Sequence, residues 1–84
     1  MLKLQESFDK RLREALRRKK LSQSELHRRS GINMTTINMY ANGKSIPSSN
    51  FLSVIAQTLD CNELWLLGYN VPFGRNLMMW EGIK

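Results

Sequence analysis

Among its 84 residues the chain has one cysteine, Cys61, and one histidine, His27. A lone thiol cannot close an intramolecular disulfide, and one Cys with one His falls short of the four ligands of a structural zinc site. No metal and no cofactor are therefore expected. No apolar run approaches the ~20 residues that a membrane span needs. The opening Met-Leu-Lys-Leu-Gln-Glu lacks the apolar stretch of a secretory signal. A single cysteine also suits a reducing compartment, so the expected location is cytoplasmic. There is no Ser/His/Asp set, no metal cluster and no phosphate-cradling glycine loop, which argues against an enzyme. A chain of this length, burying roughly 60 to 65 per cent of its unfolded surface, has room for a small bundle and no deep pocket.

Acidic residues are also scarce. Seven Asp and Glu face 13 Lys and Arg, giving a net charge of +6 and a pI near 10.0. Most of the cations lie between Lys10 and Arg29, so the excess is local and calls for a polyanionic partner. Two polyanions qualify: nucleic acid, and an anionic membrane surface meeting a basic amphipathic helix over residues 6 to 20. The apolar stripe of that helix is needed by a core, which favours nucleic acid. A solvated helix face would also account for part of the charge.

Glycine and proline number only five and two, and they fall between periodic segments. Phe8, Leu12, Ala15 and Leu16 make one stripe of a helix from about Glu6 to Lys19, with Arg11, Arg13, Arg17 and Arg18 off it. Ser22 and Glu25 have the spacing of a capping box opening a second helix, Gln23 to Ser30, stopped by Gly31. Asn33 caps a third, Met34 to Ala41, in which Thr35-Thr36-Ile37 lowers intrinsic propensity. Ser48 caps a fourth over Ser49 to Leu59, whose expected buried face is Phe51, Leu52, Ile55, Ala56 and Leu59. Asn62 caps a fifth, Glu63 to Leu67, before Gly68. No strand pattern and no repeat is present, so the expected class is all-α with five helices.

Two short helices joined by a Gly-containing turn, Gln23–Ser30 and Met34–Ala41, are the elements of a helix-turn-helix. Leu26, Ile32 and Ile37 point inward, and Tyr40 does so in part. The wider string is more specific. Leu21-Ser-Gln-Ser-Glu-Leu26, Gly31-Ile32-Asn33, Ile37, Asn42-Gly43-Lys44 and Pro47 together resemble the lambda-repressor-like family of phage and bacterial regulators. Ile55-Ala-Gln-Thr-Leu59 and Leu64-Trp-Leu-Leu-Gly68 look like that family's fourth and fifth helices. The likeness spans about residues 8 to 70, which divides the chain into a domain, 1–70, and an extension or linker start, 71–84.

The resemblance implies a compact five-helix domain that binds operator DNA as a homodimer, acting as a phage- or prophage-type repressor. It places Met34, Thr35, Thr36 and Met39 toward the major groove, with Asn38 at the groove edge. It sets Gln23, Asn33, Asn42 and Lys44 at phosphates, where Arg17 and Arg28 also qualify. Guanine favours Arg or Lys, and adenine favours Asn or Gln. Met34 and Met39 instead suit a thymine methyl, so few bidentate contacts are expected. Core packing is the competing use of both methionines. The chain departs from the family at Leu16 and Ala41, where many members carry an Arg–Glu ion pair, and at His27, usually a small Ala. An apolar contact is expected for the former, and a structurally satisfied side chain for the latter. A second class of function stays open: a protein-interaction or antitoxin-like module using the same fold. Its partner surface would include Leu77, Met78, Met79 and Trp80.

Overall fold

Helices begin in this chain where a short polar side chain can accept an otherwise unpaired amide. The computed structural model describes residues 4–75. Its helices are α1 (Phe8–Lys19), α2 (Gln23–Ser30), α3 (Met34–Ala41), α4 (Ser49–Leu59) and α5 (Glu63–Leu67). Ser22 Oγ accepts the Glu25 N–H at 3.0 Å, and Asn33 Oδ1 accepts that of Thr35 at 2.8 Å. Ser48 Oγ accepts the Phe51 N–H at 3.3 Å, and Asn62 Oδ1 that of Leu64 at 2.8 Å. The capping box before α2 is only half formed. The Glu25 carboxylate turns forward along the helix to Arg28 and Arg29.

α1 packs against α3 and α5, α2 against α3 and α4, and α4 against α5. The common core is filled by Leu12, Leu26, Ile37, Ile55, Leu59, Cys61 and Leu66, all fully buried. Each large aliphatic chain there contributes roughly 1.5–3 kcal/mol of transfer free energy. Phe8 and Tyr40 meet edge to face across the α1–α3 junction, with centroids 5.9 Å apart. Among the described residues, β pairing is limited to two isolated antiparallel bridges, Leu4 with Tyr69 and Cys61 with Gly74. No described helix is long and apolar enough to cross a membrane.

The structure corrects three further expectations. α1 starts at Phe8, not Glu6, because the Gln5 and Glu6 amides donate to the Gly68 carbonyl at 2.7 and 3.2 Å. That contact holds the chain out of the helix. Phe51 is 42% exposed. Leu52, Ile55, Ala56 and Leu59 already complete the inward stripe of α4, and Phe51 lies about 100° off it. Arg11 is buried instead of lying on the solvent side of α1. Its Nη1 donates to the Trp65 carbonyl at 2.9 Å, and its guanidinium stacks 4.4 Å from the Trp65 ring centroid. A buried cation with a carbonyl and an aromatic face is compensated on both counts.

Residues 71–75, the described start of the expected extension, lie against the core. Phe73 meets Trp65 edge to face at 4.6 Å, and its carbonyl accepts the Asn62 N–H at 2.7 Å. Arg75 reaches Glu63 at 3.2 Å and the Cys61 carbonyl at 3.3 Å. Leu77, Met78, Met79 and Trp80 lie outside the described residues. Cys61 serves as a small core residue, and burial pushes its thiol pKa up to about 12.

Two outcomes follow from this packing. A Cβ at Gly68 would stand 1.9 Å from the Glu6 carbonyl oxygen, at a φ of +109°. Gly68→Ala should therefore cost more than about 2 kcal/mol, lowering Tm by roughly 4–8 °C per kcal/mol. Gly31→Ala, with φ +78° and open space around the added atom, should cost only about 1 kcal/mol. Circular dichroism melts compare the two directly. For Cys61, the folded state keeps a proton that the unfolded thiol releases near its ordinary value of 9.0. Its contribution is intact below that pH and is lost as pH rises toward 12. Native protein at pH 8 should resist a thiol-specific disulfide reagent that labels the denatured chain at once. Equal labelling rates would contradict this burial.

Candidate nucleic-acid interface

The joint between α2 and α3 is set by three short-range contacts. Gly31 takes φ 78° and donates its N–H to the His27 carbonyl, a conformation that a side chain would strain. His27 Nδ1 donates to the Ile32 carbonyl at 2.7 Å, which accounts for the partly buried histidine. The Ile32 N–H donates to Ser30 Oγ at 3.1 Å. Leu26, Ile32 and Ile37 are buried together beneath the turn. The two helices are therefore fixed relative to each other by apolar burial as well as by the turn.

α3 divides into two faces. Ile37, Tyr40 and Ala41 point into the core, and burial raises the Tyr40 phenol pKa. Met34, Thr35, Asn38 and Met39 are exposed, and Thr36 is half-buried at the edge. Met34 and Met39 keep 36% and 42% of their surface in solvent, so neither is used as core filler. At about 100° per residue, Thr35, Asn38, Met39 and Asn42 form the centre of the outward face. Asn38 thus stands near the middle of that face. No residue of α3 is acidic or basic.

The C-terminal end of α3 is firmly held. Arg13 Nη1 donates to the Ala41 carbonyl from α1, placing a cation where the helix dipole is negative. Arg13 also pairs with Asp9 at 3.3 Å. The carboxyl of Asp9 is held below its ordinary range, chiefly by a hydrogen bond from Ser7. Backbone bonds from Asn42 to Asn38, Gly43 to Tyr40 and Lys44 to Met39 close the turn. The Asn42 side chain donates from Nδ2 to Asn38 Oδ1 at 2.8 Å.

The expected phosphate-facing residues differ in availability. Lys44 and Arg17 are exposed, and neither enters an ion pair among the described residues. Arg28 is exposed and paired with Glu25. Asn33 is exposed, with its carbonyl engaged as the α3 cap. Gln23 is half-buried at the start of α2, and its Oε1 is enclosed without a hydrogen-bond partner. Leu16 and Ala41, the two positions at which the family resemblance led to an expected apolar contact in place of an ion pair, are both buried. Sequence reading overlooked Arg13 as a brace for α3. Its i,i+4 spacing from Asp9 points only to a surface pair, and its long-range bond to Ala41 leaves no local trace.

These features define an all-α helix-turn-helix domain in which the second helix of the motif presents an uncharged, solvent-facing surface. Residues 12–66 match the helix-turn-helix family, and the chain belongs to it. Its lambda-repressor-like fold is similar to the solution structure of the DNA-binding domain of the P22 C2 repressor. That match has a TM-score of 0.70 at 21% identity, covering 75% of this chain and 83% of the other. No curated protein sequence matches it.

The two faces of α3 make a stability contrast. Met34→Ala and Met39→Ala should change unfolding free energy by less than about 0.5 kcal/mol, whereas Ile37→Ala should cost about 2–5 kcal/mol. Urea titrations of the three variants check this. A large loss at Met39 would mean that it is a packing residue.

Proposed function

We propose that this protein is a sequence-specific double-stranded DNA-binding transcription regulator of repressor type, working in the cytoplasm as a homodimer. α3 enters the major groove, and α2 lies across the phosphate backbone. The observation that carries the reading is the outward face of α3. Met34, Thr35, Asn38 and Met39 stand exposed on a helix anchored by Ile37, and just beyond it Lys44 is exposed and outside any ion pair among the described residues. Membership of the helix-turn-helix family supports it, as does likeness to a repressor domain described as DNA-binding.

Base contacts fall to Met34, Thr35, Thr36, Asn38 and Met39. The methionines pack on thymine methyls and the threonines bring a hydroxyl or a methyl. Phosphate contacts come foremost from Lys44 and Arg17, with Gln23, Asn33, Asn42 and Arg28 at the rim. The dimer reading draws support from α4, which carries no charged residue and exposes Phe51 and Val54 one turn apart. On a molecule of charge +6, a neutral face is where two copies meet without repulsion. The same face would serve a protein-interaction module, and DNA selection separates the two readings.

Selection from a random duplex pool at two salt concentrations should return a two-fold symmetric motif rich in thymine, its half-sites about 34 Å apart. The logarithm of affinity should fall with the logarithm of salt at about −0.9 per phosphate neutralised. Lys44→Ala should weaken all sequences alike and make that slope shallower by about 1. Affinity that is equal on every duplex and insensitive to salt would remove the DNA-binding reading.

A further inference from the structure

Asn38 and Asn42 stand one turn apart on the outward face of α3, both exposed, with Asn42 Nδ2 donating to Asn38 Oδ1 at 2.8 Å. A free asparagine amide suits adenine, because its carbonyl accepts from N6–H while its NH2 donates to N7. Asn38 Oδ1 accepts from Asn42 and is turned along the helix toward it, away from a partner in front of α3. What remains for the groove is the NH2 group, which only donates.

Asn42 is well placed to impose this. Its backbone N–H donates to the backbone carbonyl of Asn38 at 3.1 Å, and the Gly43 and Lys44 amides close the same turn. Arg13 holds the neighbouring Ala41 carbonyl. The base of the Asn42 side chain is thus fixed from both sides. Exclusion of water in a groove strengthens an amide–amide bond of this kind.

We propose that Asn42 is a positioning residue for base specificity, holding Asn38 as a donor-only reader that selects bases with major-groove acceptors. Guanine, with N7 and O6, fits best, and thymine, with O4, fits second. Adenine keeps one bond and leaves its amino group unpaired, and cytosine presents a donor to a donor. The proposal rests on the reading of α3 as the groove-entering helix and adds to it a partner residue and a base class.

The test is pool selection with the wild type, Asn38→Ala, Asn42→Ala and Asn42→Asp, each shown to be folded by its thermal melt. Asn38→Ala identifies the position, as the one base pair whose preference flattens. There the wild type should favour guanine or thymine over adenine by about 3- to 10-fold, the range of one hydrogen bond. Asn42→Ala frees the carbonyl and should raise adenine to parity or above. Asn42→Asp can only accept, so it draws the Asn38 NH2 to itself and turns Oδ1 outward. Its preference should reverse toward the amino-bearing bases, adenine and cytosine. Overall affinity falls with the added negative charge, but the ratio at one position is the quantity read. An adenine preference in the wild type overturns the proposal. So does an unchanged preference in both Asn42 variants, or an Asn38→Ala motif identical to that of the wild type. A wild type that returns no motif is the separate failure of the DNA-reading function itself.

Discussion

The complete burial of Ile37 anchors a helix whose own sequence would not hold it. α3 is eight residues long and includes Thr35-Thr36-Ile37, and isolated helices of that length are marginal in water even with better formers. Its existence and its orientation both come from neighbours. Ile37, Tyr40 and Ala41 take it into the core, and Leu26 and Ile32 fill the space beneath the turn. Arg13 reaches over from α1 to its last carbonyl, that of Ala41. With the inward face so determined, the outward face has no freedom left. Everything α3 offers a partner is the complement of what packing required.

The positive charge is divided among tasks that composition cannot separate. Arg11 is a buried prop under Trp65. Arg18 pairs with Glu14 and stacks over Phe73, so it helps hold the segment after α5. Arg13 braces α3. The cations left exposed and unpaired among the described residues, Arg17 and Lys44 among them, are the ones suited to phosphates. The outward face of α3 itself is neutral. On the proposed DNA-binding reading, affinity and selectivity would be carried by different residues, since phosphate contacts position a protein without conveying sequence.

The α5 end gathers the two limits of the described chain. Gly68 receives the amides of Gln5 and Glu6 with its carbonyl, and Phe73 lies on Trp65 just beyond. The first is a backbone approach between segments far apart in sequence, and the second an edge-to-face ring contact between α5 and the segment that follows it. Neither belongs to the helix-turn-helix, yet each tethers a chain segment to the helices that position it.

Local chemistry in the sequence determined the five helices, their caps at Ser22, Asn33, Ser48 and Asn62, the turn at Gly31, and the inward places of Leu26, Ile32 and Ile37. These depend on interactions within a few residues, or on a 3.6-residue period, and both are visible in a string of letters. The family likeness was legible for the same reason, because it lies in the spacing of those signals. Tertiary structure alone decided which exposed or charged residues are put to use. It buried Arg11, left Phe51 in solvent, turned Glu25 away from its cap, set Arg13 against Ala41 and delayed α1 to Phe8. Each of those outcomes hangs on a carbonyl, a ring or a competing side chain supplied by three-dimensional packing. A helical period records which side of a helix a residue occupies, but not what stands opposite it.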